Sequence, residues 1–160
     1  MAKPSGSVQR VREAIAALGL ESQVQELSQS TRTAQEAAAT VGCGVGQIVK
    51  SLVFRGATSG RPLLALVSGQ NRASEALLAE HWGEAAGRAD ADFVRTHTGF
   101  AIGGVPPVGH PEKLDVLLDR DLLAFEVVWA AAGSPFAVFR LTPAELVRVT
   151  GGRVVDLKAG

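Results

Sequence analysis

The sequence predicts an α+β protein: a single compact domain spanning residues 1–160, with a mixed β-sheet and helices set between its strands. Three observations point there. Helix-like and strand-like stretches interleave from end to end, with four to five helices and about six strands, many of the strands in adjacent pairs. The 160 residues, 46% of them apolar, suit one domain with a real core and exclude a disordered chain. Neither an internal repeat nor a linker-like segment divides the sequence.

Each element has a local reason. Residues 1–6 read as a flexible terminus. From Ser7 onward, Val8, Val11, Ile15 and Leu18 recur on one helical face, and Gly19 stops the helix. Ser22 to Leu27 alternates and predicts a short strand anchored by Val24 and Leu27. Thr33-Ala-Gln-Glu36 is a capping box opening a small Ala-rich helix that ends at Gly42, and residues 42–46 (GCGVG) form an elbow. Ile48 to Phe54 and Pro62 to Ser68 are apolar runs joined by a turn at 56–60, which predicts a hairpin.

A helix from about Ala73 to Trp82 stops at Gly83, and Asp90 caps a short one that stops at Gly99. Leu114 to Leu118 is strand-like, Asp119 to Leu123 a turn or single helical turn, and Glu126 to Ala131 another strand. Gly133-Ser-Pro135 breaks the chain before a strand at Phe136 to Leu141. Thr142-Pro143-Ala-Glu145 combines an N-cap, a first-turn proline and a capping glutamate. The helix it starts ends at Gly151-Gly152, and Arg153 to Leu157 is the last strand.

Composition narrows the function. Sixteen basic residues balance sixteen acidic ones, so a bulk electrostatic grip on nucleic acid is not expected. No apolar run is long enough to span a bilayer, and the N-terminus lacks a signal peptide's apolar region. A soluble, cytoplasmic protein without a membrane partner is expected. The single cysteine, Cys43, excludes an internal disulfide and reads either as a reactive thiol in a glycine-rich elbow or as a small packed residue. His81, His97 and His110 show no ligand spacing, so neither a zinc site nor any other cofactor is expected. No G-x-S-x-G elbow supports a serine hydrolase, and residues 42–46 lack the ending of a phosphate-binding loop.

Two stretches stand out. The first, GFAIGGVPPVGH from Gly99 to His110, sets a flexible Gly103-Gly104 pair before a stiff Val105-Pro106-Pro107 segment. It reads either as a wide turn or as a shaped loop presenting backbone N–H groups to a small polar ligand. His110 beside it is either a donor to that ligand or an ordinary exposed loop histidine. The second stretch, GQIVKSLVF from Gly46 to Phe54, places Lys50 inside an apolar strand, where an unpaired ammonium is costly. Either Lys50 snorkels or pairs with a carboxylate, or its head group faces a cleft that receives an anion.

In this order and spacing the chain resembles the YbaK-like aminoacyl-tRNA editing domains, standalone relatives of the domain inserted in bacterial prolyl-tRNA synthetases. The resemblance runs from Val8 to Leu157. Its pieces are T-A-Q-E-A-A before the glycine elbow, Q-I-V-K-S-L-V-F, L-V-S-G, and G-F-A-I-G-G-V-P-P-V-G-H. The aspartates before L-L and the helix T-P-A-E-L with T-G-G complete it. It implies a curved mixed sheet flanked by helices, and a hydrolase that cleaves the ester of a mischarged tRNA and so guards translation fidelity.

The same resemblance assigns parts. It places Lys50, Gly103 and Gly104 at the reacting ester, the lysine on a phosphate near the terminal adenosine. It sets Val105, Pro106, Pro107, Gly109, His110, Gly133 and Ser134 around the bound aminoacyl group. It implies a water nucleophile assisted by the substrate itself, with the protein supplying position and hydrogen bonds to the oxyanion. The implied partner is the acceptor end of an aminoacylated tRNA, proline tRNA above all, with prolyl-tRNA synthetase as a further partner. Alanine, serine, threonine and cysteine all remain open as the amino acid removed. The segment A-A-A-G-S-P replaces a Ser-Gly-Gly-Lys type loop found in some members, which bears on that choice. The rival readings are a non-catalytic module that binds aminoacyl-tRNA or a nucleotide, and a synthetase-associated partner. A cleft between Lys50 and the 99–110 loop is the structural expectation common to the active-enzyme reading.

Overall fold

The computed structural model describes residues 6–160. Five α-helices and eight strands form one mixed sheet with helices on both faces, as the interleaved pattern predicts. The strands are β1 (Gln25–Glu26), β2 (Ile48–Gly56), β3 (Pro62–Ser68), β4 (Ala86–Arg88), β5 (Asp115–Asp119), β6 (Val128–Ala131), β7 (Ala137–Leu141) and β8 (Arg153–Val155). Their order is β1-β7-β6-β2-β3-β5-β8, with β4 also paired to β2. Pairs β2–β6, β3–β5 and β5–β8 are parallel; β1–β7, β2–β3, β2–β4 and β6–β7 are antiparallel.

The helices are α1 (Gly6–Ala17), α2 (Ala34–Val41), α3 (Glu75–Trp82), α4 (Ala91–Thr98) and α5 (Pro143–Thr150). The centre of the sheet is β3, buried from Leu63 to Ser68 because both its faces are covered. Leu64 and Leu66 face a core built with Val8, Val11 and Ile15 of α1, Val94 of α4 and Leu146 of α5. Leu63, Ala65 and Val67 face the other way, against Leu78 of α3 and Leu157. The alanines of α2 (Ala34, Ala37 and Ala38) pack on Ile48, and their small side chains let the helix sit close to β2.

Local signals hold where they are strongest. Thr142 and Glu145 make the reciprocal capping box, and Pro143 begins α5. At α2 the Thr33 hydroxyl accepts from the Glu36 N–H, but the glutamate side chain bonds that hydroxyl and does not reach back to the Thr33 backbone. Three expectations change. The flexible terminus expected over residues 1–6 lies outside the described residues for 1–5, while Gly6 opens α1. The strand over 22–27 shrinks to Gln25–Glu26, since only those residues find a ladder partner in β7. β4 was not expected at all: its three residues carry no alternation, and pairing with Phe54 to Gly56 alone makes it a strand.

Two loops lean on each other beside the sheet. The Gly133 N–H donates to the Gly104 carbonyl (2.9 Å), and Gly133 has φ +96° with its α-carbon against the first turn of α1. A Cβ there would stand 2.6 Å from the Ser7 carbonyl oxygen, whereas Gly83, at φ +97°, has nothing within 4 Å. Gly83→Ala should therefore cost only the left-handed backbone penalty, about 1–2 kcal/mol. Gly133→Ala should cost about 2 kcal/mol more, because backbone must move. Urea unfolding of the two variants checks this; equal midpoints would refute it.

Candidate functional site

A strand has two hydrogen-bonding edges, and those of β2 are used differently. Its inner edge pairs with β3 from Val49 to Arg55. Its outer edge is divided: β6 takes Ile48 and Val49, β4 takes Phe54 to Gly56, and Lys50 to Val53 pair with neither. The Ile48 carbonyl accepts from Gly69 and the Gly56 N–H donates to Arg61, so even-numbered residues turn their peptide groups toward β3. By alternation the peptide groups of Ser51 and Val53 point outward into the gap. The segment Ile102 to Val105 crosses this opening. A cavity of about 370 Å³ and another of about 340 Å³ share Ser51, Leu52, Ile102, Gly103 and Val105 in their walls.

Lys50 lines the larger cavity together with Gly103 and Val105. The expected cleft between Lys50 and the glycine-proline loop is therefore present. The Lys50 ammonium donates to the carbonyl of Asn71, and none of the ion pairs among the described residues includes it. Burial lowers its pKa below the usual lysine range, and the nearby charge of Asp119 opposes that shift.

Asn71 is in turn fixed from behind. Its side-chain amide donates to Asp119 (2.9 Å) and Asp121 (2.7 Å), and the buried Asp119 also accepts from the backbone N–H groups of Ser68 and Asp121. A buried carboxylate costs several kcal/mol unless its oxygens are satisfied, and here three donors satisfy it. The result is a rigid seat for one cation. The sequence motif already contained these aspartates without giving them a role; Asn71, 48 residues from Asp119, has no local signal.

The remaining candidate residues separate into three groups. Gly103 lines both cavities. Gly104, Gly133 and Ser134 form the contact between the two loops: a Cβ on Gly104 would lie 2.8 Å from the Ser134 backbone, so glycine there permits docking and does not widen a pocket. Pro107, Gly109 and His110 line a separate cavity of about 220 Å³ with Leu18 of the α1 end, and Pro106 is buried. His110 is not the exposed loop histidine of the simpler reading. Its Nε2 lies 2.8 Å from the Pro106 carbonyl oxygen and its ring meets Phe100 edge-on. Burial lowers its pKa, with the Pro106 hydrogen bond acting against that.

Cys43 is half-buried, and burial raises its thiol pKa, which favours the packed-residue reading over the reactive one. Arg32, which sequence reasoning passed over, lines the Lys50 cavity, and no carboxylate does. The hydroxyls of Thr31, Thr33 and Ser51 are there, but Thr31 donates to the Pro135 carbonyl and Thr33 is tied to Glu36 in its helix cap, and no histidine or acid lines the cavity itself. The site is therefore cationic, concave, and bare of any nucleophile–base pair.

Residues 28–149 match the aminoacyl-tRNA editing domain family. The uncharacterized protein YwhH of Bacillus subtilis (strain 168) is 32% identical over 148 residues, 92% of this chain and 94% of its own. Among solved structures, a candidate trans-editing enzyme for prolyl tRNA synthetase is 51% identical with a TM-score of 0.93, covering 99% of this chain and 100% of that one. The hypothetical protein APE2540 is 33% identical with a TM-score of 0.86, over 94% of this chain and 99% of that one. With three quarters of its length matched and the cleft in place, the chain belongs to the aminoacyl-tRNA editing domain family.

Proposed function

We propose that this protein is a trans-acting deacylase that hydrolyses the ester of a mischarged tRNA, with proline tRNA carrying a small wrong amino acid as the preferred substrate. The observation that carries this reading is the shared cavity: a seated Lys50 cation and the backbone of Gly103 face one another where the sheet is open. The size of the cavity suits an aminoacyl group and the sugar that bears it.

The roles follow from the chemistry present. Lys50, aided by Arg32, receives a phosphate of the tRNA end and fixes its register, as a charge-assisted contact does. Gly103 presents backbone to the ester, and Gly104, docked on the Gly133-Ser134 loop, holds that backbone in place. Since no side-chain base lines the cavity, a water attacks the ester carbonyl with help from the substrate's own groups. The protein contributes position and hydrogen bonds to the developing oxyanion. The setting is the cytoplasm, where tRNA is charged; among the described residues no helix is long and apolar enough to cross a membrane.

A panel of tRNAs charged with alanine, serine, threonine, cysteine or proline tests the reading. At least one mischarged proline tRNA should be deacylated while prolyl-tRNA is spared; stable binding without loss of any amino acid would favour the binding module instead. Lys50→Ala should slow deacylation by about 100-fold or more, the usual cost of misplacing a reacting group by about 1 Å. The variant should melt like the wild type, because a partly buried charge is removed along with its hydrogen bond. Lys50→Arg should restore only part of the rate, since a planar fork replaces a point charge.

The lowered pKa of Lys50 also predicts a pH effect. The cation is lost at a lower pH than an ordinary lysine loses its own, so the enzyme-dependent rate should fall on an alkaline limb that lies below the usual lysine range. After subtraction of spontaneous hydrolysis, Lys50→Arg should lack that limb. A limb unchanged by the substitution would assign it to another group.

A further inference from the structure

Ser51 carries a feature that Lys50 and the glycine loop leave unexplained. Its Oγ is, among the described residues, the one buried side-chain N or O atom without a hydrogen-bond partner. Such orphans are rare in folded proteins, and each costs about 1–3 kcal/mol that something must offset. The orphan also sits at the undivided stretch of the outer edge of β2, where the Ser51 N–H and C=O point into the gap between β4 and β6. Ser51 thus lines both cavities with its N–H and C=O turned into the gap and its unpartnered Oγ buried beside them.

Those groups match one class of ligand. In an antiparallel hydrogen-bonded pair, two opposite residues exchange both bonds, N–H to C=O in each direction. An aminoacyl ester offers the same complement on one residue: an α-ammonium that donates and a carbonyl that accepts. Docked as a one-residue strand, it takes the Ser51 N–H on its carbonyl and gives its ammonium to the Ser51 C=O. Side chains of directly opposed residues lie on the same face, with Cβ atoms about 5 Å apart. Ser51 shares its face with Val49 and Val53, which pack into the core that holds Val105. The side chain of the bound amino acid therefore arrives beside Ser51 Oγ.

We infer that Ser51 reads the amino acid: its peptide groups align the ester along the open edge of β2, and its hydroxyl selects a side chain bearing a β-hydroxyl, serine over alanine. Seryl substrate supplies the missing partner of the orphan oxygen, whereas alanyl substrate leaves it unpaired. The inference rests on the deacylase reading for its ligand and chooses among the amino acids which that reading leaves open.

The test uses non-hydrolysable 3′-seryl-amido and 3′-alanyl-amido adenosine, with binding measured by calorimetry on the full chain. Wild type should prefer the seryl analogue by about 10-fold or more. Ser51→Ala should reduce that ratio to about one and melt no lower than wild type, since it deletes an unsatisfied group. Ser51→Thr, which keeps the hydroxyl, should keep the preference. Equal binding of both analogues by wild type, or an unchanged ratio in Ser51→Ala, overturns the inference, as does failure of the seryl analogue to bind. Discrimination between analogues without cleavage of any mischarged tRNA would sink the deacylase reading and leave Ser51 as the selecting residue.

Discussion

Every peptide group taken out of water in a sheet must find a partner, and a strand presents such groups along both edges. In β2 the inner edge is fully paired, while the outer edge is contested by two short strands that arrive from different parts of the chain. β6 comes in parallel and β4 antiparallel, so the two cannot merge into one neighbour. The interval between them, Lys50 to Val53, is left open on that edge. The 99–110 loop roofs this interval without pairing to it. Position in the sheet thus creates the opening; side chains only furnish it.

The same strand carries the electrostatics. Alternation sends Lys50 to one face and Ser51 to the other, yet both line the same cavity, because the edge of the strand is open there. The ammonium would be poorly placed if it were free to swing. It is held instead by a backbone carbonyl whose own residue is pinned by Asp119 and Asp121. The carboxylates act through Asn71 and never enter the cavity, which leaves the lining cationic and open to an anion. Long-range placement of charge replaces a direct ion pair.

Much of this was legible in the chain, for identifiable reasons. Capped helices and the apolar hairpin announce themselves because their signals lie within a few residues, as at Thr142-Glu145 and at Ile48 to Phe54. Lys50 was conspicuous because a charge in an apolar run violates a local rule. What escaped depends on contacts far apart in sequence. β4 exists only through its pairing with β2, and the Asn71–Asp119 bond spans 48 residues. Glycine and proline content marked the 99–110 loop but could not say which of its residues face the ligand. Gly103 does, while Pro107, Gly109 and His110 turn to another cavity. Ser51 is not singled out beside its conspicuous neighbour, because an unmet hydrogen bond is a property of space and leaves no trace in composition.

The meeting of Gly104 with Gly133, and of Gly133 with the first turn of α1, ties three remote segments into one buttress. None of the three can be displaced alone. A fusion partner, a cleavage event or a lattice of neighbours acting on that first helical turn would therefore be felt some hundred residues downstream, at the roof of the opening. The state of that helix is in this way a lever on the shape of the ligand's berth.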